Sequence, residues 1–145
     1  MKYEISSYSN NLEFALTNPI FTSPKGYFWS RNWTDSQSKW RSYMREGMIY
    51  NENHYVDVEQ AYQLCKPKNP LFDSKTKFDI MLELLIIKLQ TYPKLIEGVD
   101  FKGGLDYLNN CIHQPTKQNT CWETGGQNMF IKLLIEAYKT IKNGN

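Results

Sequence analysis

Apolar residues recur at helical spacing over most of the chain from residue 55 onward. The first apolar stripe follows the pattern i, i+3, i+4 and i+7 and consists of Val58, Ala61, Tyr62 and Cys65. Asp57 precedes this stripe in the position of an N-cap, and Gln60 stands three residues later, as in a capping box. Because Pro67 cannot continue a helix, the pattern predicts a helix that begins after Asp57 and ends at Pro67.

The longest periodic segment runs from about Ser74 to Tyr92. Its apolar residues at helical spacing are Phe78, Met81, Leu82, Leu85 and Leu89. The charged residues that mostly occupy its other faces are Lys75, Lys77, Glu83 and Lys88. Since further apolar residues (Ile80, Leu84 and Ile87) interrupt those faces, we predict a helix that is buried on more than one side.

Three shorter helices are predicted in the rest of the chain. Pro93 begins a short helical turn that Gly98 ends, and Leu105–Asn110 forms another. The last helix runs from Asn128 to Ile141, and Asn143-Gly144 closes it. Its inward residues are expected to be Phe130, Leu133, Leu134, Ala137 and Tyr138.

Residues 1–54 show little helical periodicity. We predict short strands around Tyr3–Tyr8 and Gly26–Trp29 and a short helical stretch near Ser36–Met44. With 145 residues the chain fits one domain that has its own core. The predicted fold class is mainly α, with α+β as the alternative: a single domain over residues 1–145, irregular and rich in aromatic residues over 1–54 and helical over 55–145.

Composition narrows the functional classes. A net charge of +2 is too small to indicate nucleic-acid binding by electrostatics alone. The apolar run Ile80–Leu89 contains Glu83 and Lys88 and is too short to span a bilayer, and residues 1–7 lack the apolar segment of a secretory signal. Three cysteines without metal-ligand spacing indicate reduced thiols. We therefore expect a cytoplasmic protein that has no membrane partner, metal or cofactor.

A polar stripe borders the first apolar stripe and indicates a ligand pocket. Glu59, Gln63 and Lys66 fall on one helix face at i, i+4 and i+7, so a carboxylate, an amide and an ammonium follow the edge of a buried face. The alternative interpretation is a solvated helix face. The aromatic residues between Tyr27 and Tyr55 either build a core or supply a ring, such as Trp29, that stacks on a flat ligand.

A second polar cluster, Trp122-Glu-Thr-Gly-Gly-Gln-Asn128, precedes the last helix and is predicted to face the stripe. Gly125 and Gly126 would leave backbone N–H groups free there, a weak signal for phosphate binding. The alternative is that the glycines make a turn and Asn128 caps the helix. Nearby, Cys111 and His113 form a Cys-x-His pair, which could suggest a zinc site. Because no second pair of residues has zinc-ligand spacing, His113 is interpreted as a turn residue at the pocket rim.

Four segments in the same order resemble the NADAR (YbiA-like) N-glycosidase family over residues 54–141. Val58-Glu59-Gln60-Ala-Tyr-Gln63-Leu-Cys-Lys66 resembles its E-x-x-x-Q-x-x-K helix, and Lys88 to Leu95 resembles its K-F-x-x-x-P-x-L segment. Leu108-Asn-Asn-Cys-Ile-His113 is similar to the approach to the family's tryptophan. Trp122 and Gly126-Gln-Asn128, followed by Leu133-Leu134, are similar to its W-G-D-G and G-K-N-x-L-G-x-x-L-M motifs. Ser30-Arg-Asn32 stands where the family has F-S-N.

The resemblance implies a pocket for an N-ribosyl compound. Relatives in that family cleave N-glycosidic bonds in riboflavin-pathway intermediates or remove ADP-ribose from guanine bases, so the partner would be a small nucleotide-like ligand or a modified nucleic acid. Glu59 would stabilise the oxocarbenium-like ribose, with Glu123 as a second acid. The implied ligand-binding residues are Trp122, Lys66, Gln63, Asn128, Gly125, Gly126, Asn32 and Trp29.

Two further functions are compatible with the same residues. A binding protein on this scaffold would sequester an ADP-ribose-type nucleotide signal without turnover, and the change from W-G-D-G to Trp122-Glu-Thr-Gly125 favours it. The presence of Glu59 and Lys66 favours the enzyme. A helical interaction module without a small ligand is the third alternative, which the polar stripe disfavours.

Overall fold

The computed structural model describes residues 3–5, 11–17, 39–40, 42–67, 74–114 and 116–144. Helices dominate these residues, which confirms a mainly α fold. The helices are α1 (Asn11–Thr17), α2 (Val58–Cys65), α3 (Ser74–Thr91), α4 (Lys94–Lys102), α5 (Leu105–Asn109) and α6 (Met129–Gly144). The strands are β1 (Tyr3–Glu4), β2 (Met48–Tyr50), β3 (Asn53–Tyr55) and β4 (Cys111–Ile112). The strand predicted over Gly26–Trp29 lies outside the described residues.

Helix α2 begins and ends where its sequence predicts. The Asp57 side chain accepts a 2.8 Å hydrogen bond from the Gln60 backbone N–H, and the Gln60 side chain accepts one from Val56 N–H. This reciprocal pair satisfies N–H groups that have no partner within the first turn. At the other end Lys66 is the C-cap, and Pro67 follows it. Val58, Ala61 and Tyr62 are buried, and Cys65 is half-buried.

Helices α3 and α6 form the centre of the core and pack most extensively against each other. From α3 the buried side chains are Met81, Leu84, Leu85, Lys88 and Leu89. From α6 they are Phe130, Ile131, Leu133, Leu134, Ala137 and Tyr138, which include all five predicted inward residues. Helix α2 packs on the same long helix, so the polar stripe lies at the edge of this core.

In the part of the chain that the structure describes, the strands form two small sheets. Strand β1 pairs with β4 in parallel, with Tyr3 opposite Cys111 and Glu4 opposite Ile112. Strands β2 and β3 form an antiparallel hairpin whose turn places Asn51 at φ 49° and Glu52 at φ 70°. Two consecutive left-handed residues are typical of a turn that matches strand twist. The β1–β4 pair joins the first described residues to the segment that carries His113.

The structure corrects two sequence predictions about α1 and α4. Helix α1 lies in the region interpreted as irregular, where seven residues are too few to show a clear period. Gly98 does not end α4, which continues to Lys102 and ends at Gly103. A Cβ atom at Gly98 would lie 3.0 Å from Leu12 Cδ1, so this glycine lets α1 approach α4 closely.

The structure also corrects the position predicted for Lys88, which is only 3% exposed and does not lie on a polar face. Its Nζ donates to the Leu16 carbonyl oxygen at 3.0 Å and to the Thr17 carbonyl oxygen at 3.4 Å. These carbonyls end α1, where a helix has no internal donors for them. Burial lowers the pKa of Lys88 to about 7, although the nearby Asp57 carboxylate opposes the shift.

Among the residues that the structure describes, no helix has the length and apolar character needed to cross a membrane.

Lys88→Met should remove a pH dependence of stability. The folded pKa of about 7 lies below the ordinary value of 10.5, so between these pH values the unfolded chain binds more protons. The unfolding free energy of the wild type should therefore rise with pH over this window relative to Lys88→Met, by at most about 1.4 kcal/mol per pH unit.

Urea unfolding of both proteins at several pH values between 7 and 10.5 measures this difference. Lys139→Met changes an exposed lysine on α6 and should keep the wild-type slope. A free-energy difference between wild type and Lys88→Met that stays constant with pH would contradict the depressed pKa.

Candidate functional site

Helix α2 presents part of the predicted polar stripe to solvent. Glu59 and Gln63 are exposed, and Gln63 Nε2 donates a 2.8 Å hydrogen bond to Glu59 Oε1. This i, i+4 contact fixes one oxygen of the carboxylate. Lys66 is exposed at the end of the same helix, where its backbone N–H donates to the Tyr62 carbonyl oxygen. The structure therefore joins Glu59 to Gln63 and places Lys66 two turns along the helix.

Aromatic side chains connect α2 to the loop that carries Trp122. The Trp122 ring lies 5.4 Å from the Tyr62 ring at an interplanar angle of 84°, and 5.2 Å from the Phe78 ring at 90°. These edge-to-face contacts are a favoured arrangement of aromatic rings. Since Tyr62 follows Glu59 by one helical turn, they place the half-buried Trp122 beside the α2 face that carries the carboxylate.

Glu123 organises the loop between β4 and α6 from the inside. It is completely buried, and both of its carboxylate oxygens accept hydrogen bonds. The donors are Thr116 N–H at 2.7 Å, Thr116 Oγ1 at 2.8 and 2.9 Å, and Thr120 N–H at 3.0 Å. Hydrogen bonds from Thr120 and Thr116 lower the pKa of Glu123 to about 2. Glu123 therefore has a structural role in the loop, and the catalytic prediction rests on Glu59.

The two glycines before α6 make the loop compact, but their N–H groups are not free as the sequence suggested. Gly125 N–H donates to Gln114 Oε1 at 2.7 Å, and Gly126 N–H donates to the Glu123 carbonyl oxygen at 2.9 Å. A Cβ atom at Gly126 would lie 2.1 Å from the Thr120 carbonyl oxygen. The glycine is thus required by close approach of the backbone, and a phosphate at these amides would have to replace existing hydrogen bonds.

Asn128 begins α6 without a free side chain. Its carbonyl oxygen accepts a hydrogen bond from Lys132 N–H, and its backbone is left-handed, with φ 57°. Its side-chain Oδ1 accepts a 2.8 Å hydrogen bond from Thr124 Oγ1. The same Thr124 Oγ1 accepts from His113 N–H at 2.8 Å, and Thr124 N–H donates to the His113 carbonyl oxygen at 2.8 Å. A chain of hydrogen bonds therefore runs from α6 through Thr124 to His113.

His113 is half-buried, and both burial and charge act on its pKa. Burial lowers the pKa of the imidazole, while the carboxylates of Glu123, Glu4 and Glu59 act in the opposite direction. We call Glu59, Tyr62, Gln63 and Trp122 the α2–loop site, because α2 carries the first three and the Trp122 ring packs against Tyr62.

Sequence patterns alone did not assign Tyr62 to this site. Tyr62 belongs to the apolar stripe, and only its contact with Trp122 distinguishes it from other core residues. His113 was expected at the rim, but its pairing with Thr124 is a tertiary feature. The predicted ligand-binding residues Trp29 and Asn32 lie outside the described residues. Within the described ranges, no three acidic, cysteine or histidine side chains gather as metal ligands.

A separate open depression of about 250 Å³ is lined by Tyr3, Lys102, Asp106, Tyr107 and Asn110. It shares no residue with the α2–loop site.

Gly126→Ala should destabilise the protein because the new methyl group would meet the Thr120 carbonyl oxygen at 2.1 Å. Overpacking of this kind typically costs about 1–3 kcal/mol. Gly144→Ala is the matched control, since nothing lies within 4 Å of a Cβ atom there. Thermal unfolding of the three proteins provides the comparison. Equal melting temperatures for Gly126→Ala and wild type would show that residues 119–120 do not approach this glycine.

Glu123→Gln should also lower stability at neutral pH, because the amide nitrogen would face N–H donors. The folded pKa of about 2 lies below the ordinary value of 4.5, so this carboxylate stabilises the fold above pH 4.5. Its contribution should fall as pH decreases from about 4.5 to about 2. Glu136→Gln, on the exposed face of α6, should behave as wild type.

Urea unfolding midpoints at pH 7 and pH 3 test this prediction. The difference between wild type and Glu123→Gln should be larger at pH 7. A difference that grows toward pH 3 would contradict the role assigned to the buried carboxylate.

Comparisons with known protein families, with curated proteins and with solved structures find no match for this chain.

Proposed function

We propose that this protein is an N-glycosidase-like hydrolase of an N-ribosyl compound, with Glu59 as the carboxylate that faces the ribose. The observation that carries this proposal is an exposed carboxylate, oriented by Gln63, beside the aromatic pair Tyr62 and Trp122. The NADAR-like order of motifs is its second support. The substrate would be an ADP-ribosylated base or a ribosylamino-pyrimidine phosphate.

The chemistry of N-glycoside cleavage requires a group of this kind. As the bond between the ribose and the base nitrogen breaks, positive charge develops on the sugar ring. A carboxylate that is already oriented stabilises this charge without reorganising during the reaction. Gln63 supplies that orientation through its hydrogen bond to Oε1 of Glu59. Water is the second reactant, and the reaction needs no metal or cofactor.

Binding would use the rest of the predicted set. Trp122 offers the part of its ring that is not packed against Tyr62 and Phe78, and Gln63 can contact a ribose hydroxyl. The exposed ammonium of Lys66 would hold phosphate. Cys65, Cys111 and Cys121 are free thiols, which is compatible with the cytoplasmic location that we propose.

A binding protein that sequesters an ADP-ribose-type nucleotide is the second candidate. The observation in its favour is that Glu123 is completely buried and saturated with hydrogen bonds. Of the two predicted acids, only Glu59 would then face the ligand. Such a protein would retain the ligand contacts without turnover.

One screen separates the two candidates. The purified protein is incubated with ADP-ribosylated guanine DNA, with a ribosylamino-pyrimidine phosphate and with cyclic ADP-ribose, and the mixtures are analysed by mass spectrometry. Release of a free base or amine supports the hydrolase. Recovery of an intact ligand from the denatured protein supports the binding protein. If neither occurs, both candidates are wrong for these compounds.

Glu59→Gln should reduce turnover by roughly 10²-fold or more, because it keeps the size of the side chain and removes one electrostatic stabiliser of the transition state. Ligand affinity should change far less. The rate is measured on the substrate found in the screen. Glu97→Gln alters an exposed glutamate on α4 and should leave the rate unchanged. A wild-type rate for Glu59→Gln would remove this carboxylate from the mechanism.

A further inference from the structure

The open depression bounded by β1, the end of α4 and α5 has an aromatic wall that already holds a cation. The Tyr3 and Tyr107 rings lie 4.9 Å apart at an interplanar angle of 58°. The Lys102 Nζ lies 5.7 Å from the centroid of each ring, a distance at which a ring attracts a positive charge. Tyr107 is buried, whereas Tyr3 is half-buried and lines the depression. The wall therefore favours positively charged groups.

The charge of Lys102 is compensated from within the protein. Its Nζ lies 3.4 Å from Glu13 Oε2 on α1, and the Tyr107 hydroxyl donates to the same oxygen at 2.6 Å. The Glu13 side chain is only 14% exposed, so solvent ions screen this pair weakly. An anionic ligand would have to compete with Glu13 for the ammonium. The depression is therefore a poor anion site, although a lysine lines it.

Asp106, the other charged residue of the lining, has no comparable partner. Its carboxylate is exposed and forms no ion pair or hydrogen bond with the residues that the structure describes. With Lys102 paired to Glu13, the carboxylate of Asp106 is the uncompensated charge of the lining. Such a charge favours a cationic ligand.

Asn110 adds an acceptor to this carboxylate. Its Nδ2 donates to the Asp106 backbone carbonyl oxygen at 2.8 Å. Because a backbone carbonyl can only accept, this contact determines which atom of the amide is the nitrogen. The amide oxygen Oδ1 is then left to accept a hydrogen bond from a ligand.

We propose that this depression binds a small organic cation, an alkylammonium or an alkylguanidinium. Asp106 would pair with the charge, Asn110 Oδ1 would accept an N–H, and the Tyr3 ring would contact the charged end. The volume of about 250 Å³ is below that of pockets for drug-sized molecules, which indicates a short ligand. The site shares no residue with the α2–loop site, so it does not depend on the hydrolase proposal.

The first test titrates the ¹⁵N-labelled wild-type protein with three probes of equal chain length and different charge. These are putrescine as the cation, 1,4-butanediol as the neutral molecule and succinate as the anion, at constant ionic strength. Putrescine at up to roughly 10 mM should shift the backbone amide signals of Tyr3, Asp106 and Asn110 in a saturable manner, since weak affinity is expected for so open a site. The other two probes should not. Absence of saturable shifts with putrescine, or equal shifts with succinate or butanediol, would overturn the proposal.

The second test compares the putrescine affinities of three variants. Asp106→Asn keeps the size of the side chain and removes its charge, so affinity should fall roughly tenfold to a hundredfold. Lys102→Met should raise the affinity, because Glu13 and both rings lose their internal cation. Asp79→Asn changes an exposed aspartate on α3 that does not line the depression, and it should bind as wild type.

The variants also separate the two signs of ligand charge. Wild-type putrescine affinity in a folded Asp106→Asn would overturn the proposal. Weaker putrescine binding in Lys102→Met would show that the lysine helps to hold the ligand, which contradicts a site for cations. If circular dichroism shows that Asp106→Asn does not fold, the response of Lys102→Met and the charge preference of the wild type decide by the same criteria.

Discussion

The buried amino group of Lys88 needs oxygen partners inside the core, and this constraint governs how α1 meets the long helix α3. A buried lysine without partners is strongly destabilising. Here the last carbonyl groups of α1 supply oxygens at 3.0 and 3.4 Å, and they in turn need donors because the helix ends there. Asp57 completes the arrangement from the side of α2, since its burial raises its own pKa and the charge of Lys88 opposes that shift. One side chain on α3 thereby links α1 to the N-cap of the helix that carries Glu59.

Glu123 is a buried acceptor in the loop before α6, whereas Lys88 is a buried donor. A buried carboxylate needs donors, and the loop supplies two backbone N–H groups and a hydroxyl from Thr116 and Thr120. Irregular loops have few internal hydrogen bonds to define their shape, so a charged group that collects several of them can replace a regular element. The consequence for function is positional. Trp122 precedes this glutamate and Thr124 follows it. The hydrogen bonds of Glu123 therefore hold Trp122 against α2 and hold Thr124, which binds His113, beside β4.

The features that sequence could predict are those whose causes lie within one helical turn. Asp57 and Gln60 cap a helix through local bonds, and the shared helix face of Glu59 and Gln63 follows from their spacing. The burial of Lys88 could not be predicted, because its partner Leu16 lies 72 residues away in sequence. Helical periodicity indicates which face of a helix a residue occupies, but not which distant carbonyl group it contacts. Gly98 was interpreted as a helix end, but a glycine is favoured there because the Leu12 side chain approaches it closely. In the site, Trp122 packs against Tyr62, a residue of the apolar stripe. The burial of Glu123 depends on loop geometry that no periodic pattern encodes.

The contrast between Glu59 and Glu123 limits the chemistry that the site could perform. The carboxylate of Glu59 is exposed and accepts a hydrogen bond from the Gln63 amide. The carboxylate of Glu123 is completely buried and accepts several hydrogen bonds. A group such as Glu123, with a pKa of about 2, is a poor proton donor at neutral pH. Hydrolysis at the α2–loop site would therefore proceed without help from this acid at the leaving nitrogen. A leaving group that carries its electron pair into a delocalised ring needs such help least, because the ring itself stabilises the charge. The proposed mechanism thus favours N-ribosyl derivatives of heterocyclic bases over those of simple amines, since Glu59 can stabilise only the sugar side of the breaking bond.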